Sequence, residues 1–261
     1  HASSGPHVTA HPHSSISISP RIVARFTKIP QRLQSRCMHS LTSTVLDLIL
    51  ARVCAGCGHP GSMMCDPCAS LLQPRPRLRR ALDVGDLVSD LRVPVVCSLD
   101  YRGPVRQMLN AYKDDGQRSL TPWLAPALLA SINHALITCV STHQVPTLVP
   151  VPTRKSSQRR RGFDHVERLS AAVTRSGSQC HTRRVLRDTR SDPGSKYLTA
   201  EDRSAHVREA FSVRGTLPSL GTPVILIDDI VTTGATAREA TATLVLAGMN
   251  VVAVATIAGT P

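Results

Sequence analysis

Aromatic residues make up only 3% of the 261 residues, which excludes an extended platform for stacking single-stranded bases. Lysine is scarcer still, since arginine supplies 27 of the 31 Lys and Arg residues. Guanidinium groups suit bidentate phosphate contacts, but the same bias arises equally from plain genomic composition. No apolar run reaches the length of a membrane span, so the expectation is a soluble, cytoplasmic protein. The first 46 residues hold no Asp or Glu, yet carry Arg21, Arg25, Lys28, Arg32 and Arg36 among Ser, His and Pro. Such a segment cannot build a core, and residues 1–43 are expected to be a disordered extension. Its composition resembles that of a transit peptide; upstream sequence from an over-long gene model, with Met38 as a natural start, is the preferred account.

What remains is strongly basic. The formal net charge is +13 and the pI about 10.2, which points to phosphate-bearing partners without specifying a fold. The length accommodates one sizeable domain plus a small module.

The most restrictive stretch is VILIDDIVTTGAT, residues 224–236. Val224 to Ile227 is a short β-branched run preceded by Gly221 and Pro223, as in a strand buried on both faces of a parallel sheet. Asp228 and Asp229 then fall at its carboxyl end, where open α/β sheets place their ligands. Thr232, Thr233, Gly234, Ala235 and Thr236 have little bulk, so backbone N–H groups and hydroxyls can close around an anion. A helix expected over 235–246 adds its N-terminal dipole. Two carboxylates beside a phosphate site repel it unless they serve another group, and a vicinal diol offers the two donors they need. The run resembles the phosphoribosyl-pyrophosphate (PRPP) loop of type I phosphoribosyltransferases. That resemblance assigns the acidic pair to the ribose hydroxyls and the turn to the 5′-phosphate.

A second motif is CAGCGHPGSMMCDPC. Cys54 and Cys57 form one C-x-x-C pair, Cys65 and Cys68 another, and together they can present four thiolates to one tetrahedral ion. Gly56, Gly58, Gly61 and Pro67 permit the turns this needs. Disulfides require an oxidising compartment that nothing downstream supports, so a structural Zn²⁺ site is expected, with His59 a spare. Cys37, Cys97, Cys139 and Cys180 read as ordinary thiols. An amphipathic helix is expected over 44–53, carrying Val45, Leu46, Ile49 and Leu50, so the module spans 44–72. Residues 73–92, with Pro74, Pro76 and four arginines up to Arg80, read as a linker, and 93–261 as the main domain.

Within that domain, Val93 to Leu99 is β-like. Pro104 suits the first turn of a helix carrying Val105, Met108, Leu109 and Tyr112 on one face. Lys113 closes that helix, and by position alone complements its dipole. A second apolar helix is expected over 122–140. Leu148 to Val151 reads as a strand ending in VPVPTRKSSQRRRGFD, with Arg154, Lys155, Arg159, Arg160 and Arg161 in a loop before helix resumes near Phe163. A basic run is as often a solvated face; if this strand neighbours the Asp228 strand, the cations can offset a pyrophosphate. Segments 183–187 and 206–213 read as short strands around a polar stretch, 189–205, which is either a lid that shields the reaction from water or a plain disordered loop. Asn250 to Ile257 supplies a last strand, and the alternation predicts a parallel α/β sheet.

In combination, the paired knuckles, the Y-x-G helix ending in Lys113, VPVP with RRRGFD, and DD-x-x-TTGAT resemble the ComF family of competence-type proteins over roughly residues 46–257. The resemblance implies a type I phosphoribosyltransferase-like parallel sheet flanked by helices, with a small N-terminal four-cysteine zinc module. It also implies a role in handling single-stranded DNA during natural transformation, beside other competence proteins, and draws Lys113 into the site. In and just after the 189–205 stretch the family's glutamine and asparagine are replaced by Ser195, before Leu198, and His206, after Arg203, so the lid region is atypical. Two functions follow. One is Mg²⁺-assisted displacement of pyrophosphate from PRPP, with Asp228 and Asp229 steadying the sugar. The other is a non-catalytic PRPP or nucleotide sensor that binds single-stranded DNA. Relatives acting on 6-oxopurines carry an acid where this chain has Thr232, which argues against that acceptor.

Overall fold

The computed structural model describes residues 52–85, 91–140, 145–176, 180–190 and 210–261. The expected N-terminal extension, all but the end of the 44–53 helix, and the 189–205 stretch beyond Arg190 lie outside them, as do Cys37, Ser195, Leu198 and His206. Alternating strands and helices build a six-stranded sheet. Its strands are β1 (Arg77–Asp83), β2 (Arg92–Asp100), β3 (Thr147–Pro150), β4 (His181–Thr182), β7 (Pro223–Val231) and β8 (Asn250–Gly259). The order is β1-β2-β8-β7-β3-β4, parallel throughout except for β1, which runs antiparallel to β2 along the edge. A two-stranded antiparallel ribbon, β5 (Leu186–Asp188) with β6 (Phe211–Val213), stands beside it.

β7 and β8 are the innermost strands, and their apolar runs are buried on both faces, as parallel strands require. One face is covered by α2 (Gly103–Lys113), α3 (Thr121–Cys139) and α5 (His165–Arg175), the other by α6 (Ala235–Leu246) and the β5–β6 ribbon. Pro104 occupies the first turn of α2, and Val105, Met108, Leu109 and Tyr112 turn inward.

Three sequence expectations change. The 73–92 linker contains β1, whose charged residues alternate irregularly because an edge strand is paired on one side only. The loop carrying the arginine run is a short helix, α4 (Lys155–Arg161), without a buried residue, so it lacks the apolar periodicity that would announce it. The segment Arg118–Cys139 is long and apolar enough to cross a membrane, because its mean hydropathy survives the polar residues that break its run. It is the central core helix here: Leu124, Leu128, Ile132 and Ala135 are fully buried. Buried Ser131 donates to the Thr256 carbonyl oxygen at 2.7 Å and so ties α3 to β8.

The cysteine motif forms a knuckle closed by Cys54 N–H to the His59 carbonyl and Gly58 N–H to the Cys54 carbonyl, both 2.8 Å, followed by α1 (Asp66–Ser70). Cys54, Met64, Cys68 and Leu72 belong to the same apolar cluster as α2 and α3. The module therefore shares the main core.

Candidate functional site

The cleft is made where two strands part. β3 follows β7 only as far as the hydrogen bond from Val151 N–H to the Ile227 carbonyl, and Pro150 and Pro152 then turn it away. β7 continues, and its next two residues are the acidic pair. With no β3 partner left, the Asp229 N–H donates to Asp228 Oδ1 and the Ile230 N–H to Asp229 Oδ1, each at 2.8 Å. The carboxylates thereby satisfy backbone donors that the parting strands leave free.

Around them lies an open cleft of about 390 Å³, lined among others by Tyr101, Lys113, Arg154, Arg161, Arg190 and Thr236. Asp228 and Thr232 face it as well, and His165 closes its floor. Lys113 reaches Asp229 from the end of α2, with Nζ 3.2 and 3.3 Å from the two carboxylate oxygens. His165 Nε2 lies 2.8 Å from Asp229 Oδ2. The two carboxyls consequently differ. Burial, and then the charge of Asp229, push Asp228 well above the ordinary carboxylate range. Burial acts on Asp229 in the same direction, but Lys113, followed by the His165 ring, outweighs it and holds Asp229 well below that range. Lys113 is raised in turn, chiefly by Asp229.

Beyond β7 the chain turns at Gly234 into α6. Gly234 has φ +85°, and a Cβ there would come 2.6 Å from Leu82 Cδ2 of β1. Arg80 of the same strand holds the turn from below through the Thr233 carbonyl and the Thr260 hydroxyl, at 3.4 and 3.1 Å. Gly234→Ala should lower stability by about 1–2 kcal/mol, the cost of a left-handed backbone for a residue with a Cβ, measured as a shifted urea midpoint at constant slope; an unshifted midpoint would mean the turn relaxes freely.

The expected site residues divide by position. Asp228, Lys113, Thr232, Thr236 and Arg161 line the cleft, and Asp229 lies just beneath, buried between Lys113 and His165. Thr233 and Ala235 are exposed on the turn outside the lining. Arg159 and Arg160 point outward from α4. Sequence reasoning passed over His165, Thr153 and Arg190. Thr153 Oγ1 and N–H both donate to Asp164, at 3.1 Å, and Asp164 caps α5 by accepting the Glu167 N–H at 3.0 Å. Arg190 is braced by buried Asp188 and lies over the Phe211 ring, 5.0 Å from its centroid. An aspartate followed by histidine at the start of a helix, just after a basic run, was the available signal for the first two.

The four cysteines Cys54, Cys57, Cys65 and Cys68 bring their sulfurs within 4.8 Å of one another. Tetrahedral thiolate coordination at about 2.3 Å requires S···S separations of roughly 3.8 Å, so a small contraction completes such a site, and Cys57 and Cys65 are already 3.6 Å apart. Burial pushes the Cys54 thiol up, but backbone N–H groups of Cys65, Cys57 and Gly56 outweigh it and bring it to about 6. This donor set can hold a metal ion.

No family model matches the chain. Among curated proteins it is similar to the DNA utilization protein YhgH of Escherichia coli (strain K12), 28% identical over 72% of this chain and 75% of that protein. The YhgH of Salmonella typhimurium is 26% identical over the same shares. Competence protein F of Haemophilus influenzae is 24% identical over 70% of this chain and 75% of that protein. The sheet, its flanking helices and the cysteine cluster define an α/β protein with a phosphoribosyltransferase-like fold and an N-terminal knuckle of four cysteines able to hold a metal ion. The motifs and these relatives together support a relationship to the ComF family.

Proposed function

We propose that the cleft binds PRPP together with Mg²⁺. One observation carries this reading: two adjacent carboxyls at the parting of β7 and β3 lead straight into a glycine-hinged turn at the N-terminus of α6. In this reading Asp228 and Asp229 accept from the ribose hydroxyls, and Thr232 to Thr236 surround the 5′-phosphate with N–H and hydroxyl donors. Lys113, Arg154, Arg161 and Arg190 face the diphosphate. The lining offers these cations against few carboxylates, so Mg²⁺ suits the site as an ion carried by the diphosphate, whose charge it neutralises when bound. In transfer, a nucleophile bonds to the anomeric carbon as the bond to the diphosphate oxygen breaks, and pyrophosphate leaves with the electron pair. The acidic pair then steadies the sugar while positive charge develops on it. Zinc is the metal proposed for the four thiolates, since a tetrahedron of four cysteine sulfurs is its usual structural site.

A second reading is favoured by the net charge of +13 and by the relatives named for DNA utilization and competence. In it the chain is a cytoplasmic factor in DNA uptake, working beside other competence proteins, that senses PRPP and contacts single-stranded DNA through exposed arginines such as Arg159 and Arg160. Titration with PRPP and Mg²⁺, followed by isotope exchange between pyrophosphate and PRPP, separates the two. Binding with exchange supports the enzyme, binding without exchange sinks it, and absence of binding sinks the PRPP assignment. Affinity for single-stranded DNA that falls steeply with salt supports the second reading, and a flat salt response refutes it.

The unequal acidic pair adds a pH signature. Ribose hydroxyls donate, so they favour the ionised form of Asp228, whose pKa is raised in the free site. PRPP binding should therefore release a proton and strengthen as pH rises towards the pKa of Asp228. Calorimetry over a pH series, in buffers of different ionisation enthalpy, measures the release, and Asp228→Asn should abolish it.

A further inference from the structure

The buried ring of His165 stands between the two ends of this cleft. On one side Arg161 Nη1 lies 2.8 Å from Nδ1, and Thr153 Oγ1 lies 3.0 Å from the same nitrogen. On the other, Nε2 lies 2.8 Å from Asp229 Oδ2. A guanidinium has donors and no acceptor. Nδ1 must therefore accept from Arg161, the ring proton sits on Nε2, and Nε2–H donates to Asp229. The Thr153 hydroxyl is left to donate to Asp164 Oδ1, which accepts it at 3.1 Å. The ring is fixed edge-on to Tyr112, 6.3 Å between centroids, and the Tyr112 hydroxyl donates to the His165 carbonyl at 3.1 Å. Arg161 Nε is buried and has no hydrogen-bond partner among the described residues, so the same guanidinium that locks the ring keeps a free donor.

We propose that His165 is a positioning residue whose tautomer, set by Arg161, orients Asp229 and couples an anion at the Arg161 end of the cleft to the acidic pair. The chain Arg161, His165, Asp229, Lys113 is continuous by hydrogen bonds and one ion pair. A diphosphate drawing on the guanidinium weakens its hold on Nδ1, and the change reaches Asp229 through Nε2. The coupling rests on the anion reading given above; the ring's tautomer does not.

The test uses nitrogen-15 NMR of the full chain, with the His165 ring assigned by its loss in His165→Gln. Ligand-free protein is expected to show Nδ1 unprotonated and Nε2 protonated. Arg161→Met should move the Nδ1 signal towards the protonated position, and inorganic pyrophosphate added to the unsubstituted protein should move it the same way. PRPP affinity should fall on the order of tenfold in His165→Leu, the scale of one lost hydrogen bond to a charged group, and recover to within about threefold in His165→Gln, whose amide can still donate to Asp229. A protonated Nδ1 in the ligand-free protein, or an Nδ1 signal indifferent to Arg161→Met, overturns the proposal. If the tautomer is as described but pyrophosphate and PRPP do not bind, the ligand assignment and the coupling fall together, and only the orientation of Asp229 by His165 stands.

Discussion

Asp229→Ala is expected to abolish measurable PRPP binding and to lower stability by about 2–3 kcal/mol. Removing one partner of a buried charged network strands the others, and such losses run to about 3–5 kcal/mol. The lower figure applies because the Lys113 side chain is 38% exposed and can be rehydrated. His165 cannot, so its Nε2–H loses its acceptor inside the core. Asp229→Asn is the informative companion. It keeps an oxygen for His165, so it should recover much of the stability while binding stays lost, since the charge that holds Lys113 is gone. Urea unfolding and calorimetric titration of both variants read the two effects separately. Unchanged PRPP affinity in either would remove the acidic pair from the site.

Loss of the metal from the cysteine knuckle is expected to be the more damaging to the fold. Cys68 is buried, and its sulfur would lie 2.8 Å from a Cβ at Gly56, so the knuckle closes tightly around it. Structural zinc sites contribute on the order of 10 kcal/mol to folding in small modules. Here the apolar residues of the knuckle also complete the cluster beneath α2 and α3. A chelator, or Cys68→Ser, should therefore lower the unfolding temperature of the whole protein, with a stability loss of at least about 3 kcal/mol. Pure, reduced protein should carry one equivalent of zinc. Less than one equivalent, or a melting curve indifferent to chelation, would refute the assignment.

The site was legible in proportion to how strongly local chemistry marked it. Both ends of α6 are as the sequence predicts, and β7 includes the predicted run 224–227 but continues through the acidic pair to Val231, where Asp228 and Asp229 give no strand signal of their own. The adjacency of β3 and β7 was a condition in the sequence reading and is a fact in the sheet. β1 escaped because Arg77, Arg79 and Arg80 interrupt any alternation. Arg77 and Arg79 are held by Asp100, across the strand pair, and Arg80 by the turn after β7. Partners so remote in the chain leave no local pattern. α4 escaped because a helix polar on every side has no period to read. His165 was passed over because one histidine in a helix's first turn is ordinary until its neighbours in space are known.

The strand order has a consequence for how the molecule is made. β7 and β8, residues 223–259, form the middle of the sheet, while β1, β2, β3 and β4 on either side are all synthesised earlier. During translation those outer strands emerge with their inner hydrogen-bonding edges vacant. They must wait for the last stretch before the sheet can close, so premature termination near residue 220 should leave two unjoined half-sheets and a chain prone to aggregate.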